Sequence, residues 1–562
     1  MGWNDAAFLS IDGRVTDPGE SDMRRGVVPF AAIAFLAASL PGAGAAPARD
    51  PAAPPVYADR IIAPESIAIR AALAQAKADG LFASKAEAAA ITAYYAAQGY
   101  VPTWTADGRL TDRAKAVIGR IDDAAADGLD RAAYKTPWPG LGAYVAVTPE
   151  AVARADILLS VAVADYGADA STGRINPKSI SENFGYEIKR PEPGATLGAV
   201  AAAADPAAAL DGFNPPQKEF AALRAKLAAV RGAKAETPPE VPAGPALKPG
   251  MSDPRVVVIR ERLGLPAATV DPDVYDDAAV EAVKAYQASA RLKPDGIIGN
   301  ATLAAMNRVA ADPVATILVN MERWRWMPRD LGTFYVQANI PEFMVRIYDQ
   351  GTVAHETRVV VGKTTNQTPV FSDSMEYVVV NPVWNVPASI AVKEMLPTIR
   401  ANGGNLRGYQ VYAKIGGRFR AVDPRMINWH SVDMRNIQIK QPPGERNALG
   451  SIKFMFPNEY AVYLHDTPSK SLFQRDHRAF SHGCVRVMEP WAFADALLAH
   501  DPGWSSARFK KLVGGPERRV DLPHRIPVHL TYFTAQIDDA GNLRVWDDVY
   551  GHDRKMAKAL GL

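Results

Sequence analysis

The single cysteine of the chain lies in a motif whose residue types suit nucleophilic chemistry. Cys484 is the only cysteine among 562 residues, so it cannot form a disulfide within the chain. His465 lies nineteen positions upstream and can meet the cysteine in space if the two residues sit on neighbouring strands. A histidine beside a thiol can act as its base and activate the sulfur. The pair therefore predicts a cysteine-nucleophile site.

The residues around this pair can supply the other groups that such a site needs. Residues 460–465 and 481–487 are expected to be extended strands, and on the second of them His482, Cys484 and Arg486 would share one face. A hydrogen-bonded His465 is expected to lower the thiol pKa below its usual value of ~8.5. Backbone N–H groups at His482 and Gly483, and that of Cys484 itself, are the expected donors to an oxyanion.

The orientation of the histidine and the binding of substrate point to further candidates. Asp466 or a backbone carbonyl can fix the tautomer of His465. The candidates for contact with substrate are Trp384, Tyr463, Ser481 and Arg486.

Three alternatives remain open for these residues. The cysteine can be a buried structural residue, as isolated cysteines often are. His465, His482 and Cys484 are also ligand types that suit zinc, although no second cysteine and no His-Glu-x-x-His motif accompanies them. The aromatic residues Trp384, Trp429 and Tyr463 can pack in a core instead of lining a groove.

Composition narrows the functional class but says little about partners. The 63 lysines and arginines nearly balance the 61 aspartates and glutamates, which leaves a formal net charge of +2. No basic excess of the kind that nucleic-acid binding requires is present, so we expect no nucleic-acid partner. All nine histidines lie beyond residue 350, which places the titratable chemistry in the C-terminal part.

The beginning of the chain has the form of an export signal. Residues 1–22 are polar and suit a signal poorly, so Met23 is the expected start, followed by Arg24 and Arg25. An apolar run over residues 27–40 and small residues at 43–45 complete the pattern of a cleaved secretory signal. The expected location is the periplasm, with an uncleaved signal anchor in the inner membrane as the alternative.

Composition changes then divide the chain into segments. Apolar residues at three-to-four spacing predict a helical domain over residues 57–235, and the proline-rich residues 236–250 predict a linker. Residues 251–310 have the spacing of three short helices separated by glycine turns. A helical connector is expected over residues 311–330.

Beyond residue 330 the apolar period changes to two. Alternating strands separated by Gly, Pro, Asp and Asn turns predict a mostly β domain over residues 331–535, with residues 536–562 as a C-terminal tail. Residues 388–446 interrupt the strands with helix and loop signals. This insertion is either a cap over a site or an ordinary surface insertion.

Two segments resemble known families. The small helical segment is similar to a peptidoglycan-binding domain in the motifs Arg262-Leu263-Gly264, Ala285-Tyr286-Gln287, Leu292-Lys293-Pro294-Asp295-Gly296-Ile297-Ile298-Gly299 and Thr302-Leu303. The β domain resembles the L,D-transpeptidase catalytic domain of YkuD type in His465-Asp466-Thr467-Pro468 and Ser481-His482-Gly483-Cys484-Val485-Arg486-Val487. Some members of that family carry Asn where this chain has Arg486.

The resemblance implies a multidomain α+β protein of the large periplasmic subfamily. Its parts are a helical scaffold domain, a small three-helix peptidoglycan-binding module and a mostly β YkuD-type domain with a capping insertion. In that family Cys484 would attack a peptidoglycan tetrapeptide stem, release its terminal D-alanine and pass the acyl group to an amine of a second stem. Water, a lipoprotein amine or a free D-amino acid are alternative acceptors. Carbapenem acylation of Cys484 is implied, and no metal or organic cofactor is expected.

Overall fold

A computed structural model describes residues 63–143, 146–232, 239–268, 270–290, 292–307, 312–501 and 503–562. The predicted signal and Met23 lie outside the described residues. None of the described helices is both long enough and apolar enough to cross a membrane.

The scaffold domain is helical, as its apolar spacing predicts. Its longest helix begins after Thr148, whose hydroxyl accepts a hydrogen bond from Ala151 N–H, and ends at Gly173. A short hairpin, β1 (Thr105–Ala106) with β2 (Arg109–Leu110), interrupts the helices. The helices are α1 (Pro64–Ala78), α2 (Lys85–Ala97), α3 (Asp112–Asp122), α4 (Pro149–Thr172), α5 (Pro177–Ile180), α6 (Pro193–Ala202), α7 (Pro206–Asp211) and α8 (Lys218–Gly232).

The small module consists, within its described residues, of three helices around a core of its own. They are α9 (Arg255–Arg262), α10 (Asp277–Ser289) and α11 (Asn300–Met306). Val241 and Leu247, from the stretch predicted to be a linker, are buried in this core. The connector follows as a single helix, α12 (Pro313–Trp326).

The C-terminal half is mostly β. Its strands are β3 (Phe334–Asn339), β4 (Met344–Asp349), β5 (Thr352–Gly362), β6 (Phe371–Val380), β7 (Trp384–Asn385), β8 (Gln410–Ile415), β9 (Arg418–Val422), β10 (Ile437–Gln441), β11 (Ile452–Met455), β12 (Leu464–His465), β13 (Ala479–Ser481), β14 (Val485–Val487), β15 (Arg518–Thr531), β16 (Ala535–Ile537) and β17 (Leu543–Val545). The helices are α13 (Ala388–Ile390), α14 (Leu396–Ala401), α15 (Pro490–Leu497), α16 (Ser506–Lys510) and α17 (His552–Leu560).

A nine-stranded sheet carries the centre of this half. Its order is β13-β5-β14-β12-β11-β6-β15-β3-β4, and a further pairing of β4 with β5 closes eight of the strands into a ring. Strands β12 and β14 run parallel at its middle, each only two or three residues long. The loops that enter and leave these short strands therefore carry the predicted site.

The capping insertion forms a small unit beside this sheet. Its sheet has the order β7-β10-β8-β9, and a π-helical segment, Ala391–Met395, lies between α13 and α14. The insertion has a separate core, made of Ala391, Leu396, Ile399, Val411, Trp429 and Ile439. The predicted multidomain α+β architecture is confirmed, and residues 388–446 form an insertion with a core of its own.

One hydrophobic core joins the scaffold, the connector helix and the main sheet. It contains Phe184 and Phe220 of the scaffold, Trp324 of α12, and strand residues such as Val336 and Phe454. The segment predicted as a C-terminal tail also enters this core, through Tyr550 and Met556. Burial of large aromatic side chains from all of these segments makes their association a strong hydrophobic contact.

Two sequence expectations about strands are wrong. Residues 460–464 were expected to be extended, but Ala461 has a φ of +53° and the strand begins only at Leu464. Residues 483–487 likewise begin with Gly483 at a φ of +116°, so β14 starts at Val485. Because the chain turns at Gly483 and becomes extended only at Val485, His482, Cys484 and Arg486 do not share the face of one strand.

We predict that Glu322→Ala lowers the free energy of unfolding by about 3–5 kcal/mol, because it removes a buried carboxylate with three partners. The carboxylate accepts the N–H groups of Arg174 and Ile175 at 2.6 and 2.8 Å and lies 3.8 Å from Arg325. Urea unfolding followed by tryptophan fluorescence measures the change. Glu187→Ala, at an exposed scaffold position, is the control. Equal stability of the two variants would contradict a structural role for Glu322.

Candidate active site

The centre of the site is a row of three side chains across three adjacent strands. Lys453 on β11 pairs with His465 on β12, and His465 pairs with Arg486 on β14. Directly paired residues on neighbouring strands point to the same face of a sheet. The imidazole is therefore flanked by two cationic side chains, one from each neighbouring strand.

A hydrogen bond to the main chain orients His465. Its Nδ1 lies 2.5 Å from the backbone carbonyl oxygen of Asp466, which accepts the Nδ1 hydrogen. The Asp466 carboxylate is used elsewhere, because it accepts from Ser451 and Lys470. Of the two predicted orienting groups, the backbone carbonyl is the one in contact. The hydrogen on Nδ1 leaves Nε2 as the basic nitrogen.

The loop that carries Cys484 is held from within. The Ser481 hydroxyl donates to the Cys484 carbonyl oxygen at 2.5 Å and accepts from the Gly483 N–H at 3.2 Å. The Gly483 φ of +116° is a backbone conformation that favours glycine. Ser481, which was predicted to contact substrate, is only 1% exposed. Its hydroxyl already has two hydrogen-bond partners within the loop.

These contacts change which backbone groups can bind an oxyanion. The Gly483 N–H, predicted as an oxyanion donor, already donates to Ser481. Among the described residues, the N–H of Cys484 has no hydrogen-bond partner. The Cys484 N–H is therefore the better candidate donor, beside the attacking sulfur.

The buried hydroxyl of Thr368 joins the loop of residues 481–484 to the sheet. We call this loop, which carries the predicted nucleophile Cys484, the nucleophile loop. It donates to the Gly483 carbonyl oxygen at 2.7 Å and accepts from the Gly362 N–H at 2.8 Å. Only glycine fits at position 362, since a Cβ there would lie 2.1 Å from the Asn366 carbonyl oxygen. Thr368 is completely buried, so neither bond has water as a competitor.

A residue of the predicted tail completes this network. The Tyr550 hydroxyl donates to the Gly362 carbonyl oxygen at 2.7 Å and accepts from the Thr368 N–H at 3.1 Å. The scaffold reaches the same loop, because Asn183 donates to the Gln367 side chain at 3.1 Å. The scaffold and the predicted tail, which are distant in sequence, thus both contact the turn over residues 362–368 that supports the nucleophile loop.

Both reacting groups are neutral in the resting site. Burial, the Arg486 charge and the Lys453 charge lower the pKa of His465 to about 3, although its contact with Asp466 opposes them. Burial raises the pKa of the Cys484 thiol to about 11, against the effects of Tyr463, Arg486 and Lys453. The expected lowering of the thiol pKa is therefore wrong, since desolvation disfavours the thiolate more than the cations favour it.

The two reacting side chains are not hydrogen bonded to each other. Within the described part of the chain, the one hydrogen bond of the His465 ring is that to Asp466. Its Nε2 is thus available as a general base. Such bonds commonly tighten only when substrate binds.

Tyr463 lies beside both His465 and Cys484, whereas Trp384 and Trp429 belong to the insertion and the sheet that it forms. The Tyr463 ring stacks edge-on to His465, with ring centres 5.6 Å apart, and lies 5.6 Å from Lys453 Nζ. Trp384 lies on β7, an edge strand that precedes the insertion and pairs with its strand β10, and the Trp384 ring lies 6.5 Å from that of Tyr409. Trp429 is buried in the core of that insertion.

His482 and Arg486, two of the predicted site residues, differ in whether their side-chain nitrogens have partners. His482 Nε2 contacts the Glu394 carboxylate, away from the His465 row. Arg486 Nε is buried and, among the described residues, has no hydrogen-bond partner. In the described ranges, no three His, Cys, Asp or Glu side chains are grouped as a metal site would require.

Three family models match separate parts of the chain. Residues 89–227 match "Scaffold domain" and residues 261–306 match "Putative peptidoglycan binding domain". Residues 333–504 match "L,D-transpeptidase catalytic domain", a range that contains His465 and Cys484. The chain carries an L,D-transpeptidase catalytic domain.

A curated relative agrees with this assignment. The "Putative L,D-transpeptidase" of Haemophilus influenzae is 36% identical over 243 residues, which are 43% of this chain and 48% of that protein. The chain thus spans about half the length of the curated relative it matches.

Solved L,D-transpeptidase structures are more distant. The structure from Xylanimonas cellulosilytica is 16% identical with a TM-score of 0.18, over 51% of this chain and 98% of its own. That from Stackebrandtia nassauensis is 13% identical with a TM-score of 0.20, over 51% and 97%.

Sequence reasoning assigned no role to three residues that surround the loop of Cys484. Lys453 carried a usable signal, since it is a lone cation between Ile452 and Phe454 in an apolar strand. The roles of Thr368 and Tyr550 were not predicted, because each reaches the loop through tertiary contacts only.

We predict that the iodoacetamide alkylation rate of Cys484 rises about tenfold per pH unit from pH 7 to 10, because thiolate is scarce until the pKa near 11 is approached. Rates are measured by quenching and mass spectrometry. Lys453→Met should slow the reaction at each pH, because the lysine charge favours the thiolate. Urea-unfolded protein, with an ordinary thiol pKa of ~8.5, is the control. A plateau below pH 8 in the folded protein would instead indicate a thiolate–imidazolium pair.

We also predict that Thr368→Val lowers the free energy of unfolding by about 1–3 kcal/mol, because the Gly362 N–H and the Gly483 carbonyl each lose their buried partner. The rate of Cys484 alkylation should change as well, since the nucleophile loop is released. Urea unfolding and iodoacetamide kinetics measure the two effects. Thr368→Ser keeps the hydroxyl and should restore both. Failure of serine to restore them would assign the effect to packing of the threonine methyl group.

Proposed function

We propose that this protein is a peptidoglycan L,D-transpeptidase that uses Cys484 as nucleophile and His465 as general acid and base. The observation that carries the proposal is the row of Lys453, His465 and Arg486 beside the single cysteine of an L,D-transpeptidase domain. The peptidoglycan-binding module supports the wall as substrate.

The first step forms a thioester with the third residue of a tetrapeptide stem. His465 Nε2 takes the thiol proton as the Cys484 sulfur attacks the carbonyl carbon, because both groups start neutral. The Cys484 N–H donates to the resulting oxyanion. Collapse breaks the amide bond, and the imidazolium returns the proton to the departing D-alanine amine.

The second step transfers the acyl group to an amine of a second stem. His465 removes a proton from this amine as it attacks the thioester, and the cysteine leaves as the thiol. The product is a 3→3 cross-link in the cell wall. The positive charges of Lys453 and Arg486 suit a substrate that carries carboxylates.

The location and inhibition of the enzyme follow from the same proposal. Met23, Arg24 and Arg25 with the apolar run support export to the periplasm, with the signal either cleaved or retained as an anchor. A carbapenem would acylate Cys484, because the thiol opens the strained β-lactam amide by the attack described above.

The test is incubation of purified protein with disaccharide-tetrapeptide, followed by mass spectrometry. We expect D-alanine release and cross-linked dimers from the wild type. Cys484→Ala should abolish both, and His465→Ala should lower the rate by about 10²–10⁴-fold, as loss of a general base does. His430→Ala, at an exposed position of the capping insertion, is the control histidine.

The identity of the reaction products also distinguishes between the possible acceptors of the acyl group. Monomeric tripeptide without dimer would assign hydrolysis, and exchange with an added free D-amino acid or a lipoprotein amine would assign those acceptors. Absence of D-alanine release from the wild type would overturn every one of these activities.

A further inference from the structure

A second group of charged residues lies beside the nucleophile loop, outside the His465 row. Lys363 Nζ lies 3.3 Å from His482 Nε2 and 3.6 Å from Glu394 Oε1. The same Glu394 oxygen contacts His482 Nε2. We call Lys363, His482 and Glu394 the outer cluster.

The three members come from two different parts of the fold. His482 precedes Cys484 by two positions, and Lys363 follows β5, with its N–H donating to the Ser481 carbonyl oxygen at 2.9 Å. Glu394 belongs to the π-helical segment of the capping insertion. The cluster is thus a contact between the nucleophile loop and the cap.

The hydrogen-bonding capacities of the cluster define its chemistry. His482 Nε2 cannot accept a hydrogen bond from Lys363 while it donates one to Glu394. The imidazole N–H therefore donates to the carboxylate, and the ammonium forms an ion pair with the same oxygen at 3.6 Å. Contact with His482 lowers the pKa of the Glu394 carboxyl the most, and contact with Lys363 lowers it further. The carboxyl group therefore stays ionised. Lys363 and His482 together therefore form a site for a carboxylate.

The carboxylate that fills this site is replaceable. The side chains of Lys363, His482 and Glu394 are 39%, 30% and 46% exposed, so solvent and solutes reach the cluster. Ion pairs exposed to this extent are weak. The capping insertion has its own core, so loss of Glu394 from the cluster does not require the insertion to unfold.

We propose that Lys363 and His482 form a carboxylate-binding subsite, that Glu394 fills it in the free protein, and that a carboxylate of the peptide substrate displaces Glu394. The proposal rests on the proposed function for the identity of that peptide. The subsite selects stems whose third residue keeps a free side-chain carboxylate over stems in which it is a carboxamide. Substrate binding then also removes a contact that holds the cap on the nucleophile loop.

The first test needs no enzymatic turnover. Iodoacetate carries a carboxylate and iodoacetamide does not, so the ratio of their alkylation rates at Cys484 reports the charge of the subsite. Glu394→Gln should raise this ratio about two- to fivefold, and Lys363→Met should lower it by a similar factor, as expected for one partly screened charge. Lys363→Arg keeps the charge and should leave the ratio near that of the wild type.

Matched controls lie in the same insertion. Lys393→Met neighbours Glu394 at an exposed position, and Glu445→Gln lies at the other end of the insertion. Both should leave the ratio unchanged. Equal ratios for Glu394→Gln, Lys363→Met and wild type would overturn the subsite, as would a Lys363→Met effect that is the same for both reagents.

The second test compares two stems that differ only in a carboxylate or carboxamide on the third residue. Lys363→Met should raise KM for the carboxylate stem about two- to fivefold with kcat unchanged, and Glu394→Gln should lower it. Neither variant should change KM for the carboxamide stem. Equal KM shifts for both stems would overturn the subsite. Absence of D-alanine release by the wild type would overturn the proposed function, while the alkylation ratio would still decide the subsite.

Discussion

The hydroxyl group of Thr368 is the contact on which the geometry of the site depends. It is completely buried and bonds at once to the end of β5, through the Gly362 N–H, and to the nucleophile loop, through the Gly483 carbonyl. A buried polar group without its partner costs more free energy than one bond contributes, so only conformations that keep both bonds are stable. The position of Cys484 is thus determined by the sheet, by Tyr550 and, through Gln367, by the scaffold.

Around this fixed loop, the electrostatics oppose ionisation of the reacting groups. Desolvation acts in the same direction on the thiol and the imidazole, because it disfavours the charged form of each. Lys453 and Arg486 favour an anion at Cys484 but disfavour a cation at His465. This arrangement suits the proposed reaction, because the cations are already in place for the oxyanion and the substrate carboxylates that the reaction would bring. An ion pair between a Cys484 thiolate and a His465 imidazolium in the resting site would have cancelled part of the positive potential of Lys453 and Arg486.

The sequence predicted the helical and mostly β parts of the fold and singled out His465 and Cys484, but it did not predict the arrangement that holds these two residues. Periodicity identified the helical scaffold, the three-helix module and the mostly β domain, because burial of one face leaves a repeat in the residues. His465 and Cys484 were recognisable by type and spacing. The turns at Ala461 and Gly483 were not, because a single positive φ leaves no periodic signal. Thr368, Tyr550 and the Glu394 contact depend on pairings between distant segments, for which one sequence has no local mark.

The place of Tyr550 in the network has a consequence for the order of events during synthesis. A growing chain that has passed Cys484 and Val487 contains the nucleophile and its histidine, yet lacks both β15 and Tyr550. Strand β15 pairs with β3 and β6, so the sheet that supports Thr368 is incomplete until that strand has been added. The Cys484 thiol is therefore synthesised before the segments that position it. An incompletely synthesised chain has the residues of the site without their geometry.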